Sequence, residues 1–230
     1  TWKRSRTDID PSGIRKNTPA APRRSRARWP LVRARRCVVR RDCAAGRSER
    51  FGTAKLLAEY RGKPLLQHAL SAAQDACPGD VYLVVGHNAH EVADSAVGLA
   101  DHVITNEDFA TGIGSSIARG VRACREHADA ILVMLADQPL VSSTHLAELV
   151  KKWTGKPNEI IASRFSGVSG PPVLFASALF DQLEDLHGDI GAREILRRSS
   201  SMLRTVEFAA AAIDIDTPED LEALDGGNDT

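Results

Sequence analysis

An α/β domain with a mostly parallel sheet and helices on both faces is the fold this sequence predicts, from three observations: short apolar runs, helical segments between them, and regular alternation of the two. The runs are Val81-Tyr82-Leu83-Val84-Val85, His102-Val103-Ile104-Thr105, Ala130-Ile131-Leu132-Val133-Met134-Leu135 and Glu159-Ile160-Ile161-Ala162. They are rich in β-branched residues and apolar at consecutive positions, which fits strands covered on both faces. Apolar residues recur with helical period over residues 64–76, 89–97, 115–127 and 142–153. Pro64 stands near a first helical position, where its missing N–H costs nothing, and Ser142 or Ser143 can cap the last segment. Strand, helix and strand in succession form crossovers of a parallel sheet, and such sheets bind ligands at the carboxyl ends of their strands. The loops that follow strands are therefore where chemistry is expected.

The chain has 230 residues, enough for one large core. Its formal charge of zero hides a division: residues 1–50 carry 16 Lys or Arg against 4 Asp or Glu, and the remainder 14 against 26. Residues 1–36 are dense in Arg, Pro, Ser and Thr, a composition that cannot offset the entropy of ordering. They are expected to form a disordered basic leader, followed by a catalytic domain at 37–225 and a flexible tail at 226–230. Trp2 and Trp29 stand alone in the leader, so nucleic acid is not the expected partner. Cys37, Cys43, Cys77 and Cys124 show neither a CxxC pair nor zinc spacing, as free thiols of a reducing cytoplasm would. No run approaches the about 20 apolar residues of a membrane span, and no secretory apolar segment follows the basic start. The 7 histidines lack the spacing of a catalytic triad and are assigned no chemical part.

Three loops carry candidate chemistry. The first, Ala44-Ala45-Gly46-Arg47-Ser48-Glu49-Arg50-Phe51-Gly52-Thr53-Ala54-Lys55, combines small residues that let backbone N–H groups approach a ligand with the cations Arg50 and Lys55, a combination suited to phosphates. The second, Ala136-Asp137-Gln138-Pro139, puts a carboxylate at the end of the strongest strand, where a hard cation can be held with phosphates completing its shell. The third, Ile213-Asp214-Ile215-Asp216-Thr217-Pro218, reads as a short strand leading into a helix. One of its carboxylates can complete a metal site with Asp137, or Asp216 or Thr217 can cap the helix.

Taken together these loops bring out a resemblance. AAGRSERFGTAKLL resembles the signature LAAGxSxRxGxxKLL of the molybdenum cofactor nucleotidyltransferases, closest to their cytidylyltransferase branch. Thr111-Gly112-Ile113-Gly114-Ser115-Ser116 with Gly120, ADQPLV, GPPVLF at 170–175, GDIGAR at 188–193 and DIDTPEDL follow in that family's order. The resemblance implies a Rossmann-like fold of the nucleotide-diphospho-sugar transferase type. It also implies magnesium-dependent transfer of a nucleoside monophosphate, CMP favoured, from an NTP onto a phosphorylated acceptor, with molybdopterin expected. By the same resemblance, Arg50, Lys55 and Asp137 are catalytic, and Ala44, Ala45, Gly46, Ser48, Gly52, Gly112, Ser115 and Ser116 lie along the nucleotide. Gly170, Pro171, Asp189 and Arg193 border the acceptor, and Asp137 with Asp216, in preference to Asp214, holds magnesium. A downstream molybdoenzyme or its chaperone is the implied protein partner. A guanylyltransferase, another small-molecule nucleotidyltransferase of this fold and a non-catalytic nucleotide-binding module are the competing readings.

The chain departs from this family just before the first loop. A central strand there should be apolar, yet Cys37-Val38-Val39-Arg40-Arg41-Asp42-Cys43 holds three charges. Burying an unpaired charge costs several kcal/mol, so residues 1–42 are expected to lie outside the segment on which the fold evolved.

Overall fold

The computed structural model describes residues 14–16, 35–40, 55–86 and 89–226. The elements in chain order are β1 (Ile14–Lys16), β2 (Arg35–Arg40), β3 (Glu59–Tyr60), β4 (Lys63–Pro64), α1 (Leu65–Ala76), β5 (Val81–Val85), α2 (Ala89–Ser95), β6 (His102–Thr105) and α3 (Ile113–Cys124). They continue with β7 (Ala130–Leu135), α4 (Ser143–Lys152), β8 (Ile160–Phe165), β9 (Val168–Ala176), α5 (Phe180–Glu184), α6 (Ala192–Arg198), β10 (Leu203–Glu207) and α7 (Pro218–Gly226).

Eight strands form one sheet in the order β1-β6-β5-β2-β7-β9-β8-β10, and β3 and β4 pair separately. The central strands β6, β5, β2 and β7 are parallel, as are β8 and β10, whereas β9 runs antiparallel between β7 and β8. The fold is thus the mostly parallel, Rossmann-like α/β sheet expected. Period-2 alternation sends each strand's residues into two cores. Cys37, Val39, Leu83, Val85, Leu132 and Met134 face α1 and α4, while Val38, Tyr82, Val84, Ile131 and Val133 face α3, α5 and α6. Both faces are covered, which is why these strands are apolar at every position.

β2 places one of the three charges in question, Arg40, at a strand end. Cys37, Val38 and Val39 are fully buried between β5 and β7, while Arg35, Arg36 and Arg40 fall at the ends of the strand. Arg41 and Asp42 lie outside the described residues. Residues 35–40 therefore supply a central strand of the sheet. The strand also begins two residues ahead of the boundary drawn from composition, and Ile14–Lys16 of the leader pairs antiparallel with β6.

Two other readings change. Residues 213–216 form no strand; the backbone N–H of Ile215 bonds instead to the carbonyl of Asp137 at 3.3 Å. β10 escaped the sequence reading because it is a half-exposed edge strand without a continuous apolar run. Among the described residues no helix is long and apolar enough to cross a membrane.

Gly120 lets α3 lie close on the sheet: a Cβ there would stand 2.6 Å from Val38 Cγ1 and 3.0 Å from Val84 Cγ2. Gly120→Val is expected to cost about 1–3 kcal/mol through overpacking, read as a lower denaturant midpoint at unchanged slope.

Candidate active site

The parallel strands deliver the candidate residues to one edge, at their carboxyl ends. Asp137 follows β7 by two residues and is 4% exposed. Lys55 opens a 3-10 turn before β3 and is 8% exposed. Its Nζ donates to Asp137 Oδ2 at 2.7 Å and to Asp216 Oδ1 at 3.0 Å, so one ammonium bridges carboxylates far apart in sequence. Burial opposes the charged form of Lys55, but the charge of Asp137 and the hydrogen bonds to both carboxylates outweigh it, and the pKa is raised. Asp137 Oδ1 is buried and has no hydrogen-bond partner among the described residues. Leaving a carboxylate oxygen buried and unmet is costly, and an electropositive ligand would relieve it.

The flanking residues hold this arrangement. Gln138, 1% exposed, donates through Nε2 to Asp214 Oδ1 at 2.9 Å and to the Ala211 carbonyl at 3.0 Å. Asp214 is therefore engaged by Gln138, and Asp216 is the carboxylate that meets Lys55. Asp220 Oδ2 accepts from the backbone N–H of Asp216 at 2.9 Å and of Thr217 at 2.8 Å, while Thr217 Oγ1 accepts from Asp220 N–H at 3.2 Å. This reciprocal cap starts α7 and leaves the Asp216 side chain to the site. The bond from the Asp216 N–H leads the causes that hold the Asp220 carboxyl below its usual range. Sequence reasoning missed Gln138 and Asp220; the spacing Thr217-x-x-Asp220 was the available signal for the latter.

A second cluster follows β6. Asn106, 3% exposed, donates through Nδ2 to Ser115 Oγ and Ser116 Oγ, both at 3.0 Å. α3 begins at Ile113, two residues earlier than read, and the N–H of Gly114 is taken by the Gly188 carbonyl at 2.9 Å. Gly112 has φ 119°, and a Cβ on it would lie 2.3 Å from the Gly188 carbonyl carbon. The motifs TGIGSS and GDIGAR thus pack backbone to backbone, which demands glycine on steric grounds alone. Asp189 and Arg193 are exposed beside this contact, and Gly170 and Pro171 lie near the start of β9. Ala44, Ala45, Gly46, Ser48, Arg50 and Gly52 lie outside the described residues.

His145, assigned no part from sequence, is 2% exposed, and its ring stacks on Phe208 with centroids 3.9 Å apart. Burial pushes its pKa down from 6.5 to about 4. Because unfolding lets this ring take up a proton below its ordinary pKa, the stability it contributes is present above 6.5 and lost as pH falls toward 4. Melting temperature is expected to fall between pH 7 and 4.5, and less steeply in His145→Phe; parallel slopes would contradict this.

The model of the MobA-like NTP transferase domain family matches residues 43–204, most of the chain. This chain is a MobA-like NTP transferase. The match takes in the first loop, Lys55 and Asp137 and stops short of Asp216, which only the fold brings to Lys55. The transferase is 30% identical over 198 residues to the purine catabolism protein PucB of Bacillus subtilis, covering 79% of this chain and 92% of that protein. It is 29% identical over 199 residues to nicotine blue oxidoreductase of Paenarthrobacter nicotinovorans, covering 82% and 96%. The crystal structure of Rv0371c from Mycobacterium tuberculosis superposes with a TM-score of 0.71 at 28% identity, covering 85% of this chain and 99% of that one. Rv0371C has also been solved in complex with manganese. By family, then, this is an NTP-dependent transferase that moves a nucleotide moiety onto a small-molecule acceptor.

Proposed function

We propose that this MobA-like transferase is magnesium-dependent and moves CMP from CTP onto the phosphate of a pterin-type acceptor, the molybdenum cofactor, with release of pyrophosphate. The observation that carries the reading is the Lys55 bridge between Asp137 and Asp216, with Asp137 Oδ1 buried and without a hydrogen-bond partner among the described residues. Two carboxylates converging on one cation, with a third oxygen unmet, are a donor set that suits a hard divalent ion. Asp137 and Asp216 would hold magnesium, which supplies positive charge to the phosphate oxygens. That Rv0371C has been solved in complex with manganese supports a divalent ion as the cofactor in this reading.

In the reaction, an acceptor phosphate oxygen attacks the α-phosphorus in line, a new P–O bond forms, and the bond to the β-phosphate breaks. Lys55 and Arg50 offset the charge that builds on the departing pyrophosphate, a stabilisation worth most when preorganised. By the family resemblance Gly46, Ser48 and Gly52 would line the triphosphate and Gly112, Ser115 and Ser116 would border the nucleotide, with Asn106 holding the two serines. Gly170, Pro171, Asp189 and Arg193 border the acceptor.

The Ala44-Ala45 pair resembles the cytidylyltransferase branch and would favour cytosine, with side chains there narrowing the space for a purine. CTP is expected to bind more tightly than GTP by calorimetric titration; tighter GTP binding would overturn the nucleotide assignment. With CTP labelled at the α-phosphate, the label is expected on the pterin product, and its absence there would overturn the acceptor.

A further inference from the structure

We propose that His145 and Ser163 form a buried positioning pair that fixes the Gly170-Pro171-Pro172 bulge of β9, and through it the acceptor side of the site. The proposal rests on the reading that this segment borders the acceptor. β8 and β9 are joined by the two-residue turn Ser166-Gly167, with φ 48° and 79°, the conformation that matches strand twist in tight hairpins. Pairing starts regularly from that turn, with Phe165 opposite Val168 and Ser163 opposite Gly170, and the next pair is Ala162 with Val173. Pro171 and Pro172 are therefore extra residues on β9 with no counterpart on β8. On its other side β9 pairs with β7 only as far as Val133 with Val173. Beyond that point the ladder between them ends, and β7 continues to Leu135, two residues before Asp137.

A bulge of two prolines has no N–H to offer either neighbour, so the sheet ladder cannot hold it. Its carbonyls remain. Ser163, fully buried, donates its hydroxyl proton to the Pro172 carbonyl at 2.9 Å. That proton is the only one Ser163 Oγ has, so its 2.7 Å contact with His145 Nε2 requires the imidazole to donate. His145 is thus the Nε2–H tautomer, and Nδ1 is a buried acceptor with no partner among the described residues. The ring is clamped on Phe208 at 3.9 Å and 11°. The backbone N–H of His145 bonds to the capping Ser142 Oγ at 3.2 Å, which fixes it in the first turn of α4, the helix that follows the Asp137 loop.

An aliphatic pair would fill this volume without desolvating polar groups, and the unmet Nδ1 makes the chosen pair more costly. What the polar pair adds is direction: it pins one carbonyl of a segment that otherwise has no ladder. Bulges of this kind re-aim backbone beside active sites. Among the described residues no hydrogen bond joins His145 or Ser163 to Lys55, Asp137 or Asp216, so their loss should reach the acceptor and spare the nucleotide.

The full chain is the material for the test, in the parent, Ser163→Ala and Ser163→Thr forms. Pyrophosphate release is followed at saturating CTP with molybdenum cofactor varied, CTP affinity is measured by calorimetry without acceptor, and amide exchange is followed over residues 166–176. Ser163→Ala is expected to raise the acceptor KM tenfold or more with kcat within threefold and CTP affinity within twofold. It is also expected to speed exchange of the bulge segment at least tenfold, while Ser163→Thr stays within threefold of the parent. Should Ser163→Ala not fold, His145→Phe, which keeps the stacking and removes the donor, carries the same expectations. Unchanged exchange, a parallel loss of CTP affinity, or a threonine variant as impaired as alanine would overturn the proposal. If the parent itself releases no pyrophosphate with the pterin, the acceptor reading fails; the exchange result then decides for or against the clamp by itself.

Discussion

Asp137→Asn is expected to keep the fold and lower nucleotidyl transfer by at least about 10²-fold, the scale on which one preorganised electrostatic group acts. The amide has nearly the shape of the carboxylate, so the turn after β7 and the bond from Ile215 N–H to the Asp137 carbonyl persist. What it loses is the charge facing Lys55 Nζ and the unpartnered Oδ1, the two features that suit the position to a hard cation. Far-ultraviolet dichroism and thermal melting would verify the fold, and pyrophosphate release would measure the loss. Activity within threefold of the parent would remove Asp137 from the chemistry.

Lys55→Ala is expected to lower turnover by about 10²-fold or more as well, yet its effect on stability should be of another kind. With the ammonium gone, both oxygens of the Asp137 carboxylate, a side chain only 6% exposed, are left buried without a counter-charge. Breaking a buried pair in this way costs roughly 3–5 kcal/mol, with the partly exposed Asp216 end contributing little. Magnesium or manganese should return part of the lost melting temperature in this variant, because a cation that binds only the folded form stabilises it. No recovery on adding either metal, with the carboxylates intact, would count against a divalent site between them.

Much of the fold was legible because the central strands are buried on both faces and must be apolar throughout. β5, β6 and β7 were read at their true bounds, β8 began one residue late and ran three residues longer than read, and β9, interrupted by Gly170-Pro171-Pro172, was not read as a strand. The edge escaped: β10 is half exposed and too short of apolar residues to announce itself. In β2 the arginines Arg35, Arg36 and Arg40 sit at the strand ends, and only the register places Cys37, Val38 and Val39 at the centre.

Lys55, Asp137 and Asp216 were named as parts of one site before their contacts were known. Their direct bridging was not foreseen, because sequence order gives no distance. Gly112 and Gly114 are needed where one loop packs closely on the other, a contact between TGIGSS and GDIGAR that sequence order does not reveal. The roles of Gln138, Asn106 and the pair His145 and Ser163 are also tertiary: each joins segments whose proximity no local pattern encodes.

The most direct test of the central claim is pyrophosphate release from each of the four NTPs in the presence of a phosphorylated pterin acceptor, with and without magnesium, by the parent and by Asp137→Asn. The account predicts magnesium-dependent release from CTP above the other three by the parent, abolished by a chelator and nearly absent in Asp137→Asn. Release that persists without divalent metal, or that is equal in the two proteins, would contradict it.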